Sequence, residues 1–153
     1  MKRFTSNNIN MPKVFTSEKQ KIGEIGENVA CKFLVKHGFT ILERNYTKKW
    51  GEIDIVAQRQ ENRGLKLYFI EVKAVTRDLS NFSRITSKDR LDQYRPEDNM
   101  HPWKLKRLSR TIQTYLVSKH VSESTEWQFD LLVVFLDMKN KKARVKRVED
   151  VIL

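Results

Sequence analysis

A single cysteine, Cys31, stands in 153 residues, so no internal disulfide can form, and the chain fits a reducing compartment. Glycine is also scarce, at five residues, which leaves little room for a phosphate-cradling glycine loop. No G-x-S-x-G nucleophile elbow occurs either. His37, His101 and His120 stand far apart and offer no zinc spacing. No apolar run approaches the roughly 18 residues of a membrane span, and neither predicted helix carries a Trp- or Phe-rich insertion face. Between Met1 and Thr16 there is no hydrophobic stretch of signal-peptide length, so nothing directs export and a cytoplasmic location is expected. Acid is the remaining deficit.

Nineteen Asp and Glu face thirty Lys and Arg, leaving a formal charge of +11. A pI near 9.8 marks a chain drawn to polyanions, and the expected partner is nucleic acid, not a membrane. Hydrophobic residues make up 39% and charged residues 32%, enough apolar material for one core. One domain over 17–153 is expected after a mobile basic segment, 1–16.

Ser17-Glu-Lys-Gln20 has the S-x-x-Q form of a capping box. Ile22, Ile25, Val29, Ala30, Phe33 and Leu34 then recur at helical spacing up to Gly38. Phe39 to Tyr46 and Glu52 to Ala57 read as paired strands across a polar turn, and Gln58 to Gly64 reads as a turn. Leu65 to Lys73 is apolar almost to its end, as a strand inside a sheet would be. The 76–100 stretch is polar and unperiodic, a long loop that is either functional or mobile. Pro102 opens a second helix whose buried stripe is Leu105, Leu108, Ile112, Tyr115 and Leu116. Trp127 to Asp137 and Ala143 to Val148 complete the elements as strands. The fold class is α/β, with a mixed central sheet flanked by helices.

Two charged residues close an otherwise apolar strand. Alternation places Glu71 and Lys73 on one face, roughly 6 to 7 Å apart. A carboxylate or ammonium buried alone costs several kcal/mol, so such a pair needs a partner, a metal or water. Asp54, between Ile53 and Ile55, poses the same problem. Two carboxylates on neighbouring strand ends suit Mg²⁺, a hard cation that keeps several waters for substrate phosphate. Lys73 would orient or deprotonate an attacking water, or stabilise the transition state. An isolated E-x-K is more often a plain surface pair, and the preceding aspartate is what narrows the odds.

Gly26-Glu27-x-x-Ala30, Gly51-Glu52-Ile53-Asp54-Ile55, Phe69-Ile70-Glu71-Val72-Lys73, Pro102-x-Lys104 and Phe129-Asp130 together resemble the YraN family of endonuclease-like proteins. That family is similar to archaeal Holliday-junction resolvases, within the restriction-endonuclease-like, PD-(D/E)xK, superfamily. The resemblance spans 21–136. It implies a restriction-endonuclease-like core of αβββαβ order and Mg²⁺-dependent cleavage of DNA phosphodiesters, with Mn²⁺ as a substitute. Asp54 and Glu71 become metal ligands and Lys73 the catalytic lysine. Glu27 joins them as a catalytic residue, and its position at the border of the apolar stripe lets it face the site, whereas Glu24 lies opposite. By analogy with resolvases it also implies a homodimer and branched or structured DNA. Ile53 stands where the superfamily's nominal proline would be, and the 76–100 loop is longer than the family's usual one. Asp130 matches a motif, but a structural hydrogen-bonding role weighs at least as heavily there.

For nucleic-acid contacts the first candidates are Lys104 and Arg107, on a helix start that also carries Lys106 and Arg110, together with Arg44 and Lys48. Lys49, Trp50, Arg77, Arg84 and Tyr94 are secondary candidates for phosphate contact or stacking. The basic C-terminal hairpin, Lys139 to Arg147, reads equally well as a solvated face. Two alternatives to a nuclease stand beside it: a non-catalytic nucleic-acid-binding module that keeps the nuclease fold, and a protein-interaction domain whose charge keeps it soluble.

Overall fold

The computed structural model describes residues 17–80 and 100–153. Segment 1–16 and most of the 76–100 loop, including Arg84 and Tyr94, lie outside the described residues. Helix α1 spans Glu18–Lys36, and Ser17 caps it by accepting the Gln20 N–H at 3.2 Å. Strands β1 (Thr40–Lys48), β2 (Gly51–Glu61) and β3 (Gly64–Thr76) follow, then α2 (Pro102–Ser118), β4 (Trp127–Asp137) and β5 (Lys142–Val148). Proline at the first turn of α2 loses no helical hydrogen bond, and the His101 ring caps it by accepting the Trp103 N–H at 3.2 Å.

The strands form one sheet in the order β1-β2-β3-β4-β5. Among the described strands only β3 and β4 run parallel, because α2 carries the chain back across the sheet between them. No described helix is long and apolar enough to cross a membrane.

Both faces of the sheet are covered, which explains the near-continuous apolar run of β3. Tyr68 and Ile70 pack under α1 with Ala30, Leu34, Leu132 and Val134. Leu67 and Phe69 face α2 with Leu108, Ile112 and Tyr115. Each fully buried Leu, Ile or Phe contributes roughly 1.5–3 kcal/mol. Phe69 meets Tyr115 edge-on at 5.4 Å and Trp127 at 5.6 Å, which fixes α2 on its strand. Two glycines permit close approach. A Cβ on Gly26 would lie 2.7 Å from that of Ala74, and one on Gly51 would lie 2.5 Å from Thr111 Oγ1.

Strand ends differ from the sequence reading: β1 runs on to Lys48 and β3 past Lys73 to Thr76, and the largest difference is in β2. Gln58–Glu61, expected as a turn, continues β2, paired with 64–67 of β3. Polar side chains hid this strand because they have partners at its end: Arg59 Nε donates to Glu61 at 2.6 Å, and the Tyr68 hydroxyl donates to the same carboxylate. The turn shrinks to Asn62-Arg63, and Gly64 supplies the positive φ of +116° that closes it.

Candidate active site

The centre of the sheet is forked. Pairing of β2 with β3 stops at Ile55 opposite Ile70. Beyond that point β2 stays with β1 down to Gly51, while β3 stays with β4 up to Thr76. The alternation of β2 also slips here, since Ile53 packs with the α2 cluster and Ile55, two residues on, with the α1 cluster. Asp54 sits at this slip. Its Oδ2 accepts the Val72 N–H across the fork at 2.8 Å, so a side chain replaces the missing strand partner.

A cleft of about 410 Å³ opens at the fork, lined by Gly51, Glu52, Asp54, Glu71, His101, Trp103, Lys104, Arg107 and Leu108. The Glu71 carboxylate is largely buried, and Lys104 Nζ lies 2.6 Å from its Oε1. Lys104 projects from the first turn of α2, the helix that Gly51 allows to press against the β1–β2 turn.

The Asp54 carboxyl is pushed up to about 8. Burial is the largest cause, the Glu71 charge follows, and Glu27 and Glu52 add to it against the Val72 hydrogen bond. Glu52 is raised as well, first by burial and then by Glu27 and Glu71. Four carboxylates therefore feel one another around the fork. Protein cations answer two of them: Lys104 at Glu71, and Arg44 at Glu27 at 3.4 Å.

Among the described residues no group of three His, Cys, Asp or Glu forms a ready-made metal cage. Asp54 and Glu71 still fit a hard divalent cation that keeps most of its waters, because the fork supplies carboxylate oxygens and a repulsion that positive charge relieves.

Lys73 shares the strand face of Glu71, is exposed, and makes no ion pair among the described residues. Glu27, which is partly buried and paired with Arg44, reaches the group through its field and is not part of the cleft lining. Arg107 lines the cleft, whereas Arg44 is held by Glu27 and Lys48 lies 5.1 Å from the ring of Tyr46. Asp130 is 1% exposed and fully engaged. Arg147 reaches its Oδ2 at 2.9 and 2.8 Å, and the Gln128 amide and the Asp150 N–H donate to Oδ1 at 2.6 and 2.9 Å. Its part is structural.

Three cleft residues escaped the sequence reading: Glu52, His101 and Trp103. Glu52 lies inside a quoted motif, two residues from Asp54, and that spacing was the available signal. His101 read as a helix-end histidine, and nothing local to Trp103 tells a cleft wall from an ordinary exposed helix position.

The family described as "Uncharacterised protein family UPF0102" matches residues 26–134. A UPF0102 protein of Campylobacter hominis is 32% identical over 136 residues, 89% of this chain and 97% of its own. One from Campylobacter jejuni is 36% identical over 116 residues, covering 76% and 85%. One from Caldicellulosiruptor bescii is 29% identical over 132 residues, covering 86% and 96%. The span 26–134 contains Glu27, Asp54, Glu71, Lys73, Lys104 and Arg107.

Proposed function

We propose, for a chain that belongs to the UPF0102 family, the work of a Mg²⁺-dependent endonuclease on DNA, built on a restriction-endonuclease-like core. The observation that carries this reading is the fork itself, which turns Asp54 and Glu71 into one cleft whose other wall is the basic start of α2. The observed order of elements is the αβββαβ of such a core with one further strand.

Asp54 and Glu71 would hold the cation, which supplies an activated water and charge neutralisation at the phosphate under attack. The Val72 N–H holds Asp54 through Oδ2 at the cleft lining. Arg107 and Lys104 bind and orient the phosphate from the α2 side. Lys73, exposed on the face of Glu71, hydrogen-bonds the attacking water or the leaving oxygen. Glu27 acts from behind, through its charge at Asp54, as a positioning residue.

Incubation with linear duplex, single-stranded and branched DNA in Mg²⁺ or Mn²⁺ tests the reading, with Asp54→Ala and Lys73→Ala alongside. Cutting by the wild type and its loss in both variants is the expected result. Intact substrates in every lane would sink it, and cutting that persists in Lys73→Ala would place the chemistry elsewhere.

One observation favours a second reading, a binder that does not cut. The Lys104 ammonium sits 2.6 Å from Glu71, where a protein cation already satisfies the carboxylate a metal would need. DNA binding that weakens with salt, is indifferent to Mg²⁺, and comes without cleavage would establish that reading.

A further inference from the structure

Trp103 is 67% exposed and lines the cleft. A single exposed apolar side chain is ordinary on a protein surface, as Val117 on the same helix shows, and what sets Trp103 apart is the charged cleft it lines. The other two indoles are placed differently. Trp127 packs edge-on to Phe69 at 5.6 Å, and Trp50 lies under the Arg110 guanidinium at 4.2 Å.

The neighbours of Trp103 are cationic. Lys106 Nζ lies 5.8 Å from the ring, while Lys104 and Arg107 line the same cleft. Asp54 and Glu71 lie across from it. An aromatic face among phosphate-seeking cations, beside acids that suit a metal, matches a nucleotide: the ring takes the base, the lysines take the backbone, and the cleft floor takes the phosphate. A membrane surface would meet the acids of the same cleft, and an apolar peptide would meet its charges.

We propose that Trp103 stacks an unpaired nucleobase and makes this cleft selective for DNA carrying one, such as a single strand, a frayed end or a branch point. The inference rests on the nucleic-acid reading above and names its substrate class. Bases inside a blunt duplex are already stacked on each other and present only their edges, so they cannot use the indole face. Trp103 lies in the first turn of a capped helix, so stacking costs the protein little ordering.

The test is binding in Ca²⁺, followed by anisotropy of a labelled oligothymidylate and of a labelled blunt duplex, for wild type, Trp103→Ala and Trp103→Phe. Trp103→Ala should weaken single-strand binding roughly tenfold, within the range alanine replacement of stacking aromatics gives. Duplex binding should change less than about twofold, and Trp103→Phe should restore most of the loss, because a phenyl ring stacks as well. Matching thermal melts will show that the exposed substitution leaves the fold intact. Equal losses on both substrates, or no loss on either, would overturn the proposal while leaving nuclease function standing. A wild type that binds neither substrate would overturn both.

Discussion

Asp54 and Asp130 are both aspartates within strands of one sheet, and the protein treats them in opposite ways. Asp130 has every oxygen engaged by Arg147, Gln128 or the Asp150 backbone. At the other end of the same strand, Asp137 is lowered to about 2 by hydrogen bonds from Asn140 and the Leu79 N–H. Asp54 has one backbone donor and three acidic neighbours. The β4–β5 region spends its acids on holding the chain together. The β2–β3 fork leaves Asp54 short of positive charge, and that deficit is what the proposed metal would relieve. Burial alone does not separate these roles, but the sign of what surrounds each acid does.

The widest separation should come from a reciprocal pair of variants. Asp130→Ala leaves Arg147 facing an empty site and should cost about 3–5 kcal/mol of stability, read by urea unfolding, with specific activity of the folded fraction retained. Asp54→Asn should lower DNA cleavage by roughly a thousandfold, the several kcal/mol a metal site supplies, with no loss of stability. Were Asp54→Asn to unfold the protein instead, the contrast between the two acids would collapse.

Acidity offers the next test. Unfolded, an aspartyl group gives up its proton near pH 4, whereas folded Asp54 keeps it to about 8. In that interval the folded state binds the extra proton, so metal-free stability falls as pH rises from about 4 to 8 and then levels. Asp137 has the reverse sign: its contribution is full above pH 4 and is lost as pH falls toward 2. Urea midpoints in EDTA at pH 5 and pH 8.5 should show the decline for wild type and a flatter response for Asp54→Asn.

Mg²⁺ should act through the same acid. At a hundred times its dissociation constant a bound cation adds about 2.7 kcal/mol. A rise in melting temperature with Mg²⁺ at pH 8.5 is expected for wild type and for Arg147→Lys, and not for Asp54→Asn. A shift that survives in Asp54→Asn would move the metal away from the fork.

The smallest effect concerns the cations. Arg107→Ala, at a cleft guanidinium, should reduce the slope of log affinity against log salt by about 1, as one phosphate contact is lost. Arg44→Ala should leave the slope nearly unchanged, because its guanidinium is held by Glu27. Filter binding across a salt series distinguishes them.

Periodicity and caps made most of the elements legible: Ser17 and Pro102 begin helices where expected, and the apolar stripe of α2 is buried at Leu108, Ile112 and Tyr115. Residues 58–61 were missed because a strand end whose polar groups find side-chain partners looks like a turn from composition alone. Motif spacing pointed to Asp54 and Glu71. It could not show Arg44 engaged by Glu27, or Trp103 on the cleft wall, because both depend on residues brought together from different elements.

Helices α1 and α2, a sheet buried on both faces, the basic charge and the stranded acids of β2 and β3 are all written along the chain. Local pattern decides these, since alternation, capping and net charge need only neighbours along the chain. Assembly of the sheet sets where β2 and β3 part, and hence that Val72 donates to Asp54, that Glu71 meets Lys104, and that one acid is raised while another is locked. A carboxylate's field comes from charges distant in sequence and close in space, so its character is settled when the sheet forks.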